Sequence, residues 1–251
     1  MTSPRSILLA LAALPVALSL AACGKTPDAT APAAAAAQAL AKVPPPAGKA
    51  WSDVVAATPE GGYLMGNPAA PIKLLEYGSL SCPHCKKFSD DGFEKLRTNY
   101  IASGRVNYEY RSFAIHSIDV PMTMLVNCAP KESAFALVEQ IYQNQDAIMT
   151  EAQAGEAQIA AAYKLPDNQR FFAIAQSLGL IEFFAQRGIA VDQAKSCLAN
   201  VGAATAIAKH TDDYGKEGID STPTLLVNGA NKIAGATFDQ IEPILQNAGA
   251  R

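Results

Sequence analysis

Four residues, Cys82-Pro83-His84-Cys85, constrain this chain more than any other stretch. They are reached from the apolar run Ile72-Lys73-Leu74-Leu75-Glu76-Tyr77 and followed by a polar-apolar pattern of helical period, which puts the pair between a strand and a helix. At such a junction the first sulfur sits at a helix N-terminus, where unpaired N–H groups and the macrodipole favour a thiolate. Cys82 is therefore the expected nucleophile. Pro83 suits the first helical position, because its missing N–H would have had no partner there and its φ is preset. His84 adds a switchable positive charge or donor near the sulfur. Cys85, one turn on, can close a small disulfide ring with Cys82.

A Cys-x-x-Cys pair has three readings: a redox couple, half of a zinc site, or a structural bridge. Zinc needs two further ligands at suitable spacing, whereas Cys128, Cys197, His116 and His210 are scattered singly. A purely structural bridge closing so small a ring removes little unfolded-state entropy. Redox chemistry is the favoured reading. Two other classes stay open: an envelope module holding copper(I) on the Cys82 and Cys85 thiolates, and a scaffold whose pair does no chemistry. His116 and His210 are expected to be surface or structural residues. With 251 residues, 49% hydrophobic and 17% charged, the chain suffices for one large domain or a domain with a sizeable insertion. Its net charge of -3, with no basic cluster, argues against a nucleic-acid partner.

Residues 1–22 read as an export signal: Arg5, an apolar run from Ile7 to Leu20, then Ala21-Ala22-Cys23. The run is shorter than the roughly 20 residues a membrane-spanning helix needs, so cleavage is expected. Leu20-Ala21-Ala22-Cys23 resembles the lipobox of bacterial lipoproteins, which implies a diacylated Cys23 as the mature N-terminus and acyl chains that hold the domain at a membrane. An ordinary signal peptide with a chance cysteine is the alternative. Gly24 in place of an aspartate implies, by the same resemblance, the outer membrane. Residues 23–50, with Ala33 to Ala37 and Pro44-Pro45-Pro46, lack the large apolar residues a core requires and are expected to form a disordered tether.

The folded part is expected from Trp51. Gly61 to Pro68 reads as turns with a short edge strand, and Ile72 to Tyr77 as a strand covered on both faces. Phe93, Leu96 and Tyr100 mark one face of a helix. Val106, Tyr108 and Tyr110 alternate with polar residues in a second strand, so residues 51–120 predict a right-handed parallel βαβ unit. Residues 121–214 read as a helical insertion. Its stripes are Ala134, Val138, Ile141 and Tyr142; then Phe171, Ile174, Ala175 and Leu178; then Ala194, Cys197, Val201 and Ala208, with breaks at Pro166 and Gly188. Residues 215–251 open on a strand entered through Pro223, turn at Asn228-Gly229 into Lys232 to Gly235, and close with a helix bearing Phe238, Ile241, Ile244 and Leu245.

This order, βαβ, helical insert, ββα, resembles the DsbA-like thioredoxin-fold family of exported thiol-disulfide oxidoreductases from about Gly61 to the C-terminus. The resemblance rests on Leu75-Glu76-Tyr77-Gly78 before the cysteine pair and on Thr222-Pro223-Thr224 before Val227-Asn228-Gly229. Pro83-His84 between the cysteines matches the DsbA pattern, where thioredoxins usually carry Gly-Pro. It implies an α/β thioredoxin fold with a helical insertion domain and no cofactor. It also implies a cis proline at Pro223 beside the sulfurs, with Thr222 pairing an extended substrate, and Glu76 as a buried acid assisting proton transfer from Cys85. The activity implied is oxidation of reduced or unfolded exported proteins in the periplasm, with reoxidation by a membrane thiol oxidase or quinone-linked partner. Thr222 departs from the valine of DsbA and is commoner in isomerases, so a disulfide isomerase or reductase is the alternative. Isomerases of this kind carry an N-terminal dimerisation domain that residues 23–50 cannot supply, so a monomer is expected. With Cys23 given to lipid and the active pair to exchange, Cys128 and Cys197 remain. An oxidising compartment makes a structural disulfide between them the expectation, and two buried free thiols the alternative.

Overall fold

A computed structural model describes residues 38–251. The expected export signal, Cys23 and the tether up to residue 37 lie outside the described residues. Six strands, β1 Val55–Ala57, β2 Gly62–Gly66, β3 Ile72–Gly78, β4 Val106–Ser112, β5 Thr224–Val227 and β6 Ala230–Ala234, form one sheet in the order β1-β2-β4-β3-β5-β6. β3 and β4 are parallel, from Ile72 opposite Val106 to Gly78 opposite Ser112, and the other neighbours are antiparallel. Parallel neighbours need a crossover. Helix α1, Pro83–Phe88, supplies it and continues through π-helical turns at Ser89–Phe93 and Leu96–Tyr100. Phe93, Leu96 and Tyr100 are all buried.

Alternation along β3 sends Ile72, Leu74 and Glu76 into the main core with Leu96, Val106 and Tyr108. Tyr77 points the other way and clusters with Phe113, Tyr214 and Ile219. Lys73 is exposed, so the strand is covered on both faces only toward its C-terminal end. That end carries the cysteine pair.

Between β4 and β5 lies the helical insertion: α2 Asp119–Cys128, α3 Ala134–Gln143, α4 Gln145–Ala154, α5 Glu156–Ala162, α6 Asp167–Ser177, α7 Leu180–Ala185, α8 Val191–Leu198 and α9 Val201–Lys216. The first stripe is fully buried, and in the second Ile174, Ala175 and Leu178 are. The third stripe fails, because Val201 is 39% exposed and Ala208 lies at the surface. Asn200 interrupts it: its side chain accepts from Ala203 N at 3.0 Å and starts a new helix, which resets the phase and buries Ala204, Ile207 and Tyr214 instead. After the insertion, Asn228 (φ 53°) and Gly229 (φ 70°) make the two-residue turn between β5 and β6, and α10, Phe238–Asn247, ends the fold.

Two expectations are corrected here. β2 lies inside the sheet rather than at its edge, because β1 pairs along it. Three residues, Val55-Ala56-Ala57, are too few to show a period in the sequence. The second correction concerns the tether, whose end is ordered well before residue 50. Leu40 N donates to Gly249 O (2.9 Å), Val43 N to Ser103 O (3.0 Å), and Trp51 Nε1 to Val43 O (2.7 Å). Buried Arg105 reaches Leu40 O at 3.1 Å. A segment poor in apolar side chains docks here through its backbone groups, which pair with the body of the protein.

Candidate active site

Cys82 is the N-cap of α1, with an extended backbone (φ -80°, ψ 122°), and Pro83 fills the first helical turn. Lys86 N donates to the Cys82 carbonyl at 3.1 Å and closes that turn. Cys82 is 5% exposed, Cys85 is fully buried, and both are free thiols. Antiparallel pairing of β3 with β5, Tyr77 opposite Thr224, carries the start of β5 to the same end of the sheet. The Thr222–Pro223 peptide bond is cis, and Cys82 Sγ donates to the Thr222 carbonyl at 3.3 Å. Two stretches far apart in sequence thus meet at one sulfur.

The two thiols are driven apart. Cys82 is pulled down to about 4: the Cys85 thiol donates to its sulfur, and this, with Thr222 and the backbone N–H groups of Cys85 and His84, outweighs desolvation. The buried Thr222 hydroxyl has no partner among the described residues, which leaves it free to donate to the ionised sulfur. Burial pushes the Cys85 thiol well above the ordinary range, and Cys82 and Glu76 push it further. Ser79 N, 3.4 Å from the Cys85 sulfur, works in the opposite direction. One sulfur ionises readily and the other keeps its proton, the asymmetry that an attacking and a resolving thiol require. His84 contributes its backbone N–H. Its ring is exposed and hydrogen-bonds no described residue, so the role expected of the imidazole has no contact behind it.

Glu76 is 1% exposed, which excludes the half-exposed strand-end charge as a description of it. Burial pushes its carboxyl up to about 7; a hydrogen bond from the Tyr108 hydroxyl opposes the shift, and charge on Cys82 adds to it. An acid that titrates near neutrality, and whose charge is felt at Cys85, can give and take a proton there.

Several residues around the pair carry little signal in the sequence. Asp119 is fully buried at the head of α2: it accepts from Ser81 N (2.9 Å), Ser79 Oγ (2.9 Å) and His116 N (3.0 Å). Burial raises its carboxyl, and these donors pull it back. Gln145, 3% exposed, donates through Nε2 to the carbonyls of Leu80 (2.9 Å) and Cys82 (3.1 Å), and Tyr142 OH donates to Ser79 O at 3.2 Å. His116 is exposed yet shares a 2.8 Å hydrogen bond with Ser81 Oγ, which ties it to the active-site loop. His210 stacks on Tyr214, 6.1 Å between ring centroids, and serves packing. Sequence signals for the missed residues were weak, since an acid in a first helical turn reads as dipole complementation and Gln143-Asn144-Gln145 as a helix break. Cys128 and Cys197 are bonded to each other and join α2 to α8 within the insertion.

Comparison with known proteins agrees with this geometry. The Thioredoxin family model matches residues 58–247. Disulfide bond formation protein D of Bacillus subtilis (strain 168) is 22% identical over 201 residues, 78% of this chain and 81% of that protein. The crystal structure of a protein-disulfide isomerase from Novosphingobium aromaticivorans superposes with a TM-score of 0.70 at 29% identity, over 75% of this chain and 97% of that one. Wolbachia pipientis alpha-DsbA1, at 22% identity, shares the fold with a TM-score of 0.58 over 74% of this chain and 91% of its own. With the family model spanning most of its length and a Cys-Pro-His-Cys pair seated against a cis proline, the chain belongs to the thioredoxin family, as a DsbA-like thiol-disulfide oxidoreductase.

Proposed function

We propose that this protein works as an oxidase, passing the Cys82–Cys85 disulfide to exported proteins that carry reduced cysteines. One observation carries the reading, the Cys82 thiol pulled down to about 4. Above that value the reduced protein gains the stability of a thiolate that the disulfide does not have, so the disulfide is readily given up. A substrate thiolate attacks the Cys82 sulfur, the Cys82–Cys85 bond breaks, and its electron pair leaves on Cys85. Glu76, with a carboxyl near 7, supplies the proton that Cys85 takes up as it leaves. A second substrate thiolate then attacks its own chain's sulfur in the mixed disulfide and Cys82 departs as thiolate. The substrate has lost two electrons and the pair has gained them, to be returned to a membrane thiol oxidase or quinone-linked partner.

The cell envelope is the compartment this reading needs. In its favour are the Cys128–Cys197 disulfide, since such bonds persist in oxidising surroundings, and residues 1–22 with Cys23, which read as a lipoprotein leader anchoring the domain to a membrane, the outer one by Gly24. Thr222 before the proline favours a second reading, an isomerase or reductase acting from the dithiol. Equilibration with glutathione separates the two. An oxidase should give a reduction potential near the roughly -120 mV of a strong disulfide donor, whereas a value near the roughly -180 mV of protein disulfide isomerase would assign the protein to isomerisation and one near the roughly -270 mV of thioredoxin to reduction. Disulfide transfer to a reduced, unfolded protein should vanish in Cys82→Ser.

A further inference from the structure

Three helices of the insertion grip the backbone of the loop that carries Cys82. Ser79 O accepts from Tyr142 of α3, Ser81 N donates to Asp119 of α2, and the carbonyls of Leu80 and Cys82 both accept from Gln145 at the head of α4. Among the described residues Gln145 is the one side chain that grips the backbone on both sides of Ser81, and the second carbonyl it holds is that of the nucleophile itself. The Cys82 carbonyl already has the Lys86 N–H as a partner, so helix closure alone does not require the amide.

The geometry points to Gln145 as a positioning residue that sets the disulfide-exchange equilibrium of the Cys82–Cys85 pair, acting from the insertion through the loop backbone. In the disulfide, the bond between the sulfurs fixes Cys82 covalently. In the dithiol, the Cys82 sulfur is placed only by its backbone and by the groups around it, Thr222 and the turn of α1. Support for the loop therefore stabilises the reduced protein more than the oxidised one. Without the amide, the reduced form loses more, and the disulfide becomes a weaker oxidant. The exchange is protein disulfide plus two glutathione thiols giving protein dithiol plus glutathione disulfide. Two electrons pass to the protein, and two protons follow when both its sulfurs are neutral.

The inference rests on the pair being redox-active, which the unaltered protein tests by itself: a pair that never equilibrates with glutathione defeats that premise, whatever Gln145 does. Gln145→Met keeps the length and bulk of the side chain and removes both donors. Its equilibrium constant with glutathione should move by about threefold or more toward the protein disulfide, the size of a net hydrogen-bond contribution. The ultraviolet absorbance of the thiolate should titrate at higher pH in the same variant. Tyr142→Phe, which removes the donor to Ser79 O together with the hydroxyl contact to Tyr110 and leaves Gln145 in place, should move the equilibrium in the same direction should Gln145→Met fail to fold. A residue that merely holds the fold together destabilises oxidised and reduced forms alike and leaves the equilibrium constant where it was. A shift below about threefold in Gln145→Met, or, if that variant does not fold, no shift in Tyr142→Phe, overturns the assignment.

Discussion

At the scale of single residues, the site depends on two groups whose proton affinities are set by what surrounds them. The largest influence on Cys82 is the hydrogen bond from Cys85, so Cys85→Ala should move the Cys82 titration upward from about 4, as read by thiolate absorbance or by the pH dependence of alkylation. Glu76 makes a different prediction. Its carboxyl ordinarily titrates at 4.5 and does so at about 7 in the folded protein, so folding favours its protonated form. The stability this contributes is complete below pH 4.5 and is lost as pH rises through about 7, because across that window the folded state binds the extra proton. The loss is on the order of 3 kcal/mol. Glu76→Gln should abolish that slope, measured by urea unfolding at about pH 5 and about pH 8 of the disulfide form, in which Cys82 neither titrates nor adds its charge to the shift, so that the loss there is somewhat smaller. The cysteines and Pro83 announce themselves by type and spacing. Glu76 was legible for a related reason, an acid set in an apolar strand. Asp119 and Gln145 were not, because their chemistry comes from burial against a loop some forty and sixty-five residues earlier in the chain.

Among the elements, the crossover helix shows how close packing reaches the site. A methyl group at Gly92 would clash with the Cβ and ring of Phe238, so α10 and the π-helical turn after α1 meet where only a hydrogen fits. Gly92→Ala should therefore cost about 1–3 kcal/mol of stability, visible as a lower urea midpoint with an unchanged slope. Strands β3 and β4, the hairpin turn and α10 were legible in the sequence because each carries a period or a turn pair of its own. β1 was not, having three residues and no period. The third helical stripe runs across Asn200, so its period does not mark a single buried face. A cap residue inside an apolar pattern marks a change of helix, and the face that follows takes its phase from its own packing.

Over the whole molecule, the Cys128–Cys197 bond closes a loop of sequence separation 69 that contains most of the insertion. Replacing both with serine should lower stability by up to about 4 kcal/mol, since a long loop gains much entropy when it is opened in the unfolded chain. Thermal unfolding of the double variant checks this, and its Cys82–Cys85 pair should still exchange with glutathione. By itself the sequence determined the chemistry: a cysteine pair at a strand-helix junction, a proline at the start of a later strand, and an order of periodic segments that admits a thioredoxin fold with a helical insert. Only the tertiary structure decided which groups hold and tune the sulfurs. The Thr222 carbonyl, the Ser79 amide, Gln145 and Asp119 act through contacts between distant segments, and no local period in a sequence records which buried donor will face which acceptor once the chain has closed on itself.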